Sequence, residues 1–233
     1  MRSRLSGVLG VVLGLAVSRA AATPSTQIWI PSTDIQAFGT VHGGIDNYFT
    51  IFTKAADGAY AFPTDIGLTV GVAPFVELGF DWFEPSDYPL MFNLKAGVGE
   101  DRLPVALAAG VFGVGTEPDV TNYNMVYGLV AKTLAPVGRI SLGYYVGNDR
   151  VLVNADGNAD NAGLLASWDR AMPEISDKLW MAVDYQGGTN AFGAVGMGFS
   201  WAFSEKVSVL VGYVVYALPD TAGTLTTQLD VNF

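Results

Sequence analysis

Leu225-Thr226-Thr227-Gln228-Leu229-Asp230-Val231-Asn232-Phe233 alternates strictly. Leu225, Thr227, Leu229, Val231 and Phe233 fall on one face, and Thr226, Gln228, Asp230 and Asn232 on the other. Successive side chains of an extended chain point to opposite sides. Period two with unlike faces therefore reads as a strand between an apolar and a polar environment. The same pattern continues upstream. Val207, Val209, Val211, Tyr213 and Val215 oppose Ser208 and Gly212. Val195, Met197, Phe199, Trp201 and Phe203 oppose Ala194, Gly196, Gly198 and Ser200.

Extended to residue 37, the alternation predicts twelve strands, near 38–52, 64–72, 75–84, 89–98, 104–113, 122–133, 138–147, 162–171, 178–186, 191–202, 206–216 and 223–233. Their lengths suit tilted transmembrane strands, which take about 9–11 residues. Short connectors such as Ala73-Pro74 alternate with longer ones at 53–63, 114–121 and 148–161. An outer-membrane barrel has that parity of turns and loops, and an even strand number. A soluble sandwich or lipocalin-like barrel also alternates, with its apolar face inside. Two features favour the membrane. One face of every strand is apolar and almost free of charge. Its aromatics also gather at strand ends, Phe49, Trp82, Tyr123, Tyr144, Tyr185 and Tyr213 at one and Trp168, Phe199, Trp201 and Phe233 at the other. Amphipathic rings prefer the two bilayer interfaces. The expected fold is all-β, a closed antiparallel up-and-down transmembrane β-barrel of about twelve strands over residues 37–233.

Composition agrees. The 233 residues are 50% hydrophobic but only 15% charged, against about 25% in soluble domains. A net charge of -10 excludes the phosphate neutralisation on which nucleic-acid binders depend. Absence of cysteine excludes disulfides and thiolate chemistry. Residues 1–22 read as a signal peptide, with Arg2 and Arg4 before an apolar run from Leu5 to Val17 and Ala20-Ala21-Ala22 at the cleavage site. Residues 23–36 carry Ile28-Trp29-Ile30 between prolines 24 and 31. They are expected to form an N-terminal periplasmic segment, the default for a terminus, or a plug folded into the lumen.

With its signal peptide, alternating strands and terminal aromatic, the chain resembles small, porin-like Gram-negative outer-membrane β-barrel proteins. In that family the last strand is read by the barrel-assembly machinery, and Val231 and Phe233 match its final hydrophobic positions. Gln228 departs from the glycine common there. The resemblance implies periplasmic chaperones, the barrel-assembly machinery, outer-membrane lipid and lipopolysaccharide as partners.

The inner face carries the candidate lumen residues. Asp65, Asp81 and Asp184 are expected toward the outer end, and Asp46 nearer the middle. Glu77, Lys95, Lys132, Arg139 and Asp230 are expected toward the inner end. Lys95 is expected near both Glu77 and Asp81, and Lys132 opposite Arg139 across the 134–137 turn. These charges make either a structural ion-pair network or a constriction with an acidic vestibule that favours cations or zwitterions. His42, the single histidine, is expected inward beside Asp46. A His–Asp pair suits a general base, as in outer-membrane lipid hydrolases, but Ser141, Ser167, Ser200 and Ser208 fall on other strands. Asp156, Asn158 and Asp160 have the first oxygen spacings of a calcium loop but lack its glycine and its glutamate. No metal or cofactor is expected. The function indicated is a narrow passive channel for small solutes. A lipid-modifying barrel enzyme and a non-conducting structural or adhesion barrel are the alternatives.

Overall fold

The computed structural model describes residues 25–52 and 62–233. The expected signal peptide, residues 1–22, lies outside them, as does most of the first long loop. Twelve strands form: β1 (Val41–Phe49), β2 (Thr64–Ala73), β3 (Val76–Glu84), β4 (Leu90–Val98), β5 (Ala106–Gly115), β6 (Asn122–Leu134), β7 (Gly138–Val146), β8 (Ala162–Ala171), β9 (Leu179–Gln186), β10 (Ala194–Ala202), β11 (Val207–Tyr216) and β12 (Thr224–Asn232). Each pairs antiparallel with its sequence neighbours, and β1 closes the barrel on β12. Closure pairs His42 with Asn232 at one end and Phe49 with Leu225 at the other. The expected fold class is therefore the one observed. All backbone ladders end on a partner, so the sheet has no free edge.

The alternation sorts side chains as expected in most strands. Outward positions include Phe80, Phe92, Leu142, Leu164, Val183 and Phe199, all exposed. Outward charges within the described strands are confined to Glu84, Lys132 and Arg170, each within three residues of a strand end.

Strand β6 departs from the expected parity. Met125, Tyr127, Leu129 and Ala131 are buried inside, and Val126, Gly128, Val130 and Lys132 face out. Tyr123 also turns inward, against Phe192 and out of the expected outer girdle. Both faces of β6 are largely apolar because both meet apolar surroundings. Outside is the apolar belt. Inside is the chain's own N-terminal segment.

That segment supplies the barrel with a core. Ile28 is buried against Trp180, Ala182, Ala194, Leu210, Val214 and Tyr216 of β9–β11. Ile30 is buried against Met125, Tyr127, Leu129, Tyr145, Leu152 and Leu165. Burying an isoleucine contributes about 1.5–3 kcal/mol. Residues 25–36, the described part of the N-terminal segment, pack against inward side chains of the barrel wall. Isoleucines that would have met water in a tail leave it here.

Candidate functional site

The inserted segment is a short hairpin. Thr26 bridges Pro31, and the Gln27 N–H donates to the Ile30 carbonyl at 2.8 Å. A turn this tight aims successive backbone N–H groups to one side, a natural seat for a carboxylate. Asp184 Oδ2 accepts from the N–H groups of Ile28, Trp29 and Ile30 at 2.9, 2.7 and 3.1 Å. Gln228 Nε2 donates to the Ile28 carbonyl at 2.8 Å. Trp29 stands at the hairpin tip, its indole N–H on the Phe192 carbonyl at 2.8 Å.

Further contacts hold the legs. Lys95 Nζ donates to the Ser25 carbonyl at 3.0 Å and pairs with Glu77 Oε1 at 3.0 Å. Glu77 Oε2 accepts the Gln36 N–H at 2.6 Å. Arg139 clamps both Asp34 oxygens at 2.7 Å and donates from Nε to Asp169 at 2.8 Å. Asp169 also accepts from Gln27 Nε2 and Trp180 Nε1. Lumen glycines make room for this chain. A Cβ at Gly71 would collide with the Gln36 and Ala37 carbonyls, and one at Gly196 with Ile28 and the Asp184 carboxylate. Gly71 and Gly196 thus leave space for the insert.

The expected site residues fall into separate groups. Glu77 and Lys95 face each other directly, as their register requires, but Asp81 is not with them. Asp81 instead accepts from Asn93 Nδ2 at 2.6 Å. Lys132 is not in the lumen and does not face Arg139. Register opposes Thr133 to Arg139, and the outward Lys132 donates to Glu100 and the Pro104 carbonyl at the short-turn end. Desolvation pushes the Glu100 carboxyl up, but hydrogen bonds from Lys132 Nζ and the Thr133 N–H outweigh it and hold the group below the usual range.

His42 points inward, yet its carboxylate partner is Asp230, at 3.4 Å, rather than Asp46. Its other ring nitrogen lies 3.2 Å from Asn232 Oδ1. Residue 44, between His42 and Asp46 on the inner face, is opposite Asp230 across the closing seam. Ser208 donates to the second Asp230 oxygen at 3.3 Å. The carboxylate thus sits between histidine and serine. A serine nucleophile needs the histidine in that middle place. Val231 faces outward in β12, and Phe233, 70% exposed, follows the strand.

A cavity of about 280 Å³ remains between the hairpin and β1–β6, reaching from the Lys95–Glu77 level to Ser86 and Thr121 in the long loops. Asp46 and Asp65 stand directly opposite each other in its wall, and Asp81 is opposite Gly67, one inward position further along. Trp29, Tyr48 and Phe62 also line it, with Trp29–Phe62 centroids at 4.9 Å and Trp29–Tyr48 at 5.7 Å.

Two residues that hold the insert, Asp169 and Gln228, are not among the expected lumen residues. Asp169 shares the inward parity of Ser167 in β8 and was findable on that ground. In the sequence Gln228 stands out only as a departure from a terminal motif. The apolar Ile28-Trp29-Ile30 triplet was the signal for insertion, but nothing local names Asp184 as its receptor.

No protein-family model and no curated protein matches the chain. Among solved structures, a NanC porin is similar over 83% of this chain and 98% of its own, with 11% identity and a TM-score of 0.46. An outer membrane channel from Pseudomonas putida F1 is similar over 87% of this chain and 98% of its own, with 12% identity and a TM-score of 0.41.

Proposed function

We propose that this chain spans a bacterial outer membrane and forms a narrow channel for small solutes, restricted by its own residues 25–36. The membrane part of the reading is supported by the outward face. Nine residues at about 3.3 Å each, tilted by about 40°, rise about 23 Å, close to the roughly 25 Å apolar band of such barrels. The outward charges lie only near strand ends, where they reach the interfaces. Delivery by a signal peptide, periplasmic chaperones and the barrel-assembly machinery belongs to the same proposal, as does contact with lipopolysaccharide.

The channel part is carried by one observation. The lumen is filled by an inserted segment rather than by wall side chains alone, and the segment is held by hydrogen bonds, ion pairs and the burial of Ile28 and Ile30, with no ladder bond of the wall among them. Such an obstruction can leave without unpairing any strand. In planar bilayers the full chain is expected to show little current, and a variant lacking residues 25–36 a steady one. No current from the shortened barrel would reject the channel. It would favour a non-conducting structural barrel, the reading to which the ion-paired interior also lends itself.

A further inference from the structure

The cavity beside the hairpin combines two features that seldom serve packing together. Its lining includes the carboxylates of Asp46, Asp65, Glu77 and Asp81 against the single ammonium of Lys95, which Glu77 already engages. Among the described residues no ion pair reaches Asp46, Asp65 or Asp81. Like charges directly across a strand pair oppose folding, so Asp46 facing Asp65 has no packing rationale. Asp65 Oδ1 is moreover buried and accepts no hydrogen bond. Of the buried side-chain oxygens that lack a donor among the described residues, it is the one carried by a residue lining this cavity, where a bound donor can satisfy it. The second feature is aromatic. Trp29, Tyr48 and Phe62 crowd the same space, with Tyr48–Phe62 centroids at 6.0 Å. Ring faces attract organic cations, and carboxylates beside them add charge neutralisation.

We propose that this cavity binds small organic ammonium ions carrying an apolar body. The charged nitrogen sits among Asp46, Asp65 and Asp81, and the apolar body lies against Trp29, Tyr48 and Phe62. The volume is near the lower end of ligand pockets, which start at about 300 Å³, so the ligand is small. Trp29 is at the tip of the hairpin. A ligand in this cavity therefore touches the segment that fills the lumen. The inference deepens the channel reading, on which it rests, by naming the class of solute.

The test uses the purified full chain in detergent and 2-phenylethylammonium as probe, with 2-phenylethanol and phenylacetate as neutral and anionic matches. Binding is read by calorimetry and by quenching of tryptophan fluorescence. Saturable binding of the ammonium ion alone is expected. Asp65→Asn should weaken it about tenfold, and Asp65→Asn with Asp81→Asn should abolish it. Heat-dependent gel mobility checks that each variant is a folded barrel. If the double variant does not fold, the single one decides. Equal binding of 2-phenylethanol, or unchanged affinity in the aspartate variants, overturns the proposal. So does binding of calcium with none of the ammonium ion. Bilayer current separates the two readings. Ammonium binding by a barrel that never conducts, even without residues 25–36, leaves the site and removes the channel. Conduction without ammonium binding does the reverse.

Discussion

Replacing Asp184 by alanine should open the barrel. One carboxylate oxygen gathers three consecutive backbone N–H groups of the hairpin, and no other acceptor for them is seen among the described residues. Hydrogen bonds to a charged group contribute about 1.5–3 kcal/mol each, and a buried donor left without an acceptor costs about 1–3 kcal/mol. Losing the oxygen therefore penalises the inserted state by several kcal/mol. A shift of about 1.4 kcal/mol already changes a two-state ratio tenfold. The wall is untouched, because Asp184 takes part in the β9–β10 ladder through its backbone. In bilayers, Asp184→Ala should raise the open fraction by at least about tenfold over the parent. Asp184→Asn keeps an acceptor oxygen and should have a smaller effect. Protease accessibility of residues 25–36 should rise in parallel. Unchanged current with unchanged proteolysis in Asp184→Ala would show that the hairpin is held by its isoleucines alone.

Lys95→Met should produce the largest loss of stability. Lys95 and Glu77 are almost fully buried, at 3% and 4% exposure, and their charged atoms lie 3.0 Å apart. Removing one member of such a pair leaves an uncompensated charge and costs about 3–5 kcal/mol. The Gln36 N–H on Glu77 Oε2 is then left as a neutral donor to that carboxylate. For a chain of this size about 2–4 °C is lost per kcal/mol, so the melting transition should fall by on the order of 10 °C. Lys95→Met combined with Glu77→Gln removes both charges and should recover most of the loss, since replacing both partners is far less costly than orphaning one. Circular dichroism during heating, or the temperature at which gel mobility changes, measures both. A double variant as unstable as the single one would show that Lys95 acts mainly through the Ser25 carbonyl.

The two effects concern different layers of one design. Asp184 lies among the contacts that hold the hairpin tip. Lys95 and Glu77 join two strands of the wall to each other and to both legs of the insert. Aromatic packing around Trp29 links the tip to the cavity. Occupancy of the cavity and release of the hairpin are therefore expected to be energetically linked, and by reciprocity each must alter the other equally.

Period-two alternation, readable from Leu225–Phe233 upward, determined the strand count, the class of barrel and most of the outward face. It did so because the pleat is local: each residue's side is set by its neighbours. Direct cross-strand partners such as Glu77 and Lys95 were also within reach, since a hairpin register follows from its turn. Failures began where a distant segment supplied the environment. In β6 both faces are apolar, so alternation could not choose the inside. Ile30, packed there from nearly a hundred residues upstream with Tyr145, Leu152 and Leu165, decides it. His42 met Asp230 instead of Asp46 because barrel closure brings β12 beside β1, a pairing across almost the whole chain. The seating of Ile28-Trp29-Ile30 on Asp184 joins positions about 155 residues apart. The sequence by itself determined that there would be a wall with two unlike faces. Only the tertiary structure decided what fills it, because the occupant and its receptors are far apart along the chain and share no local pattern.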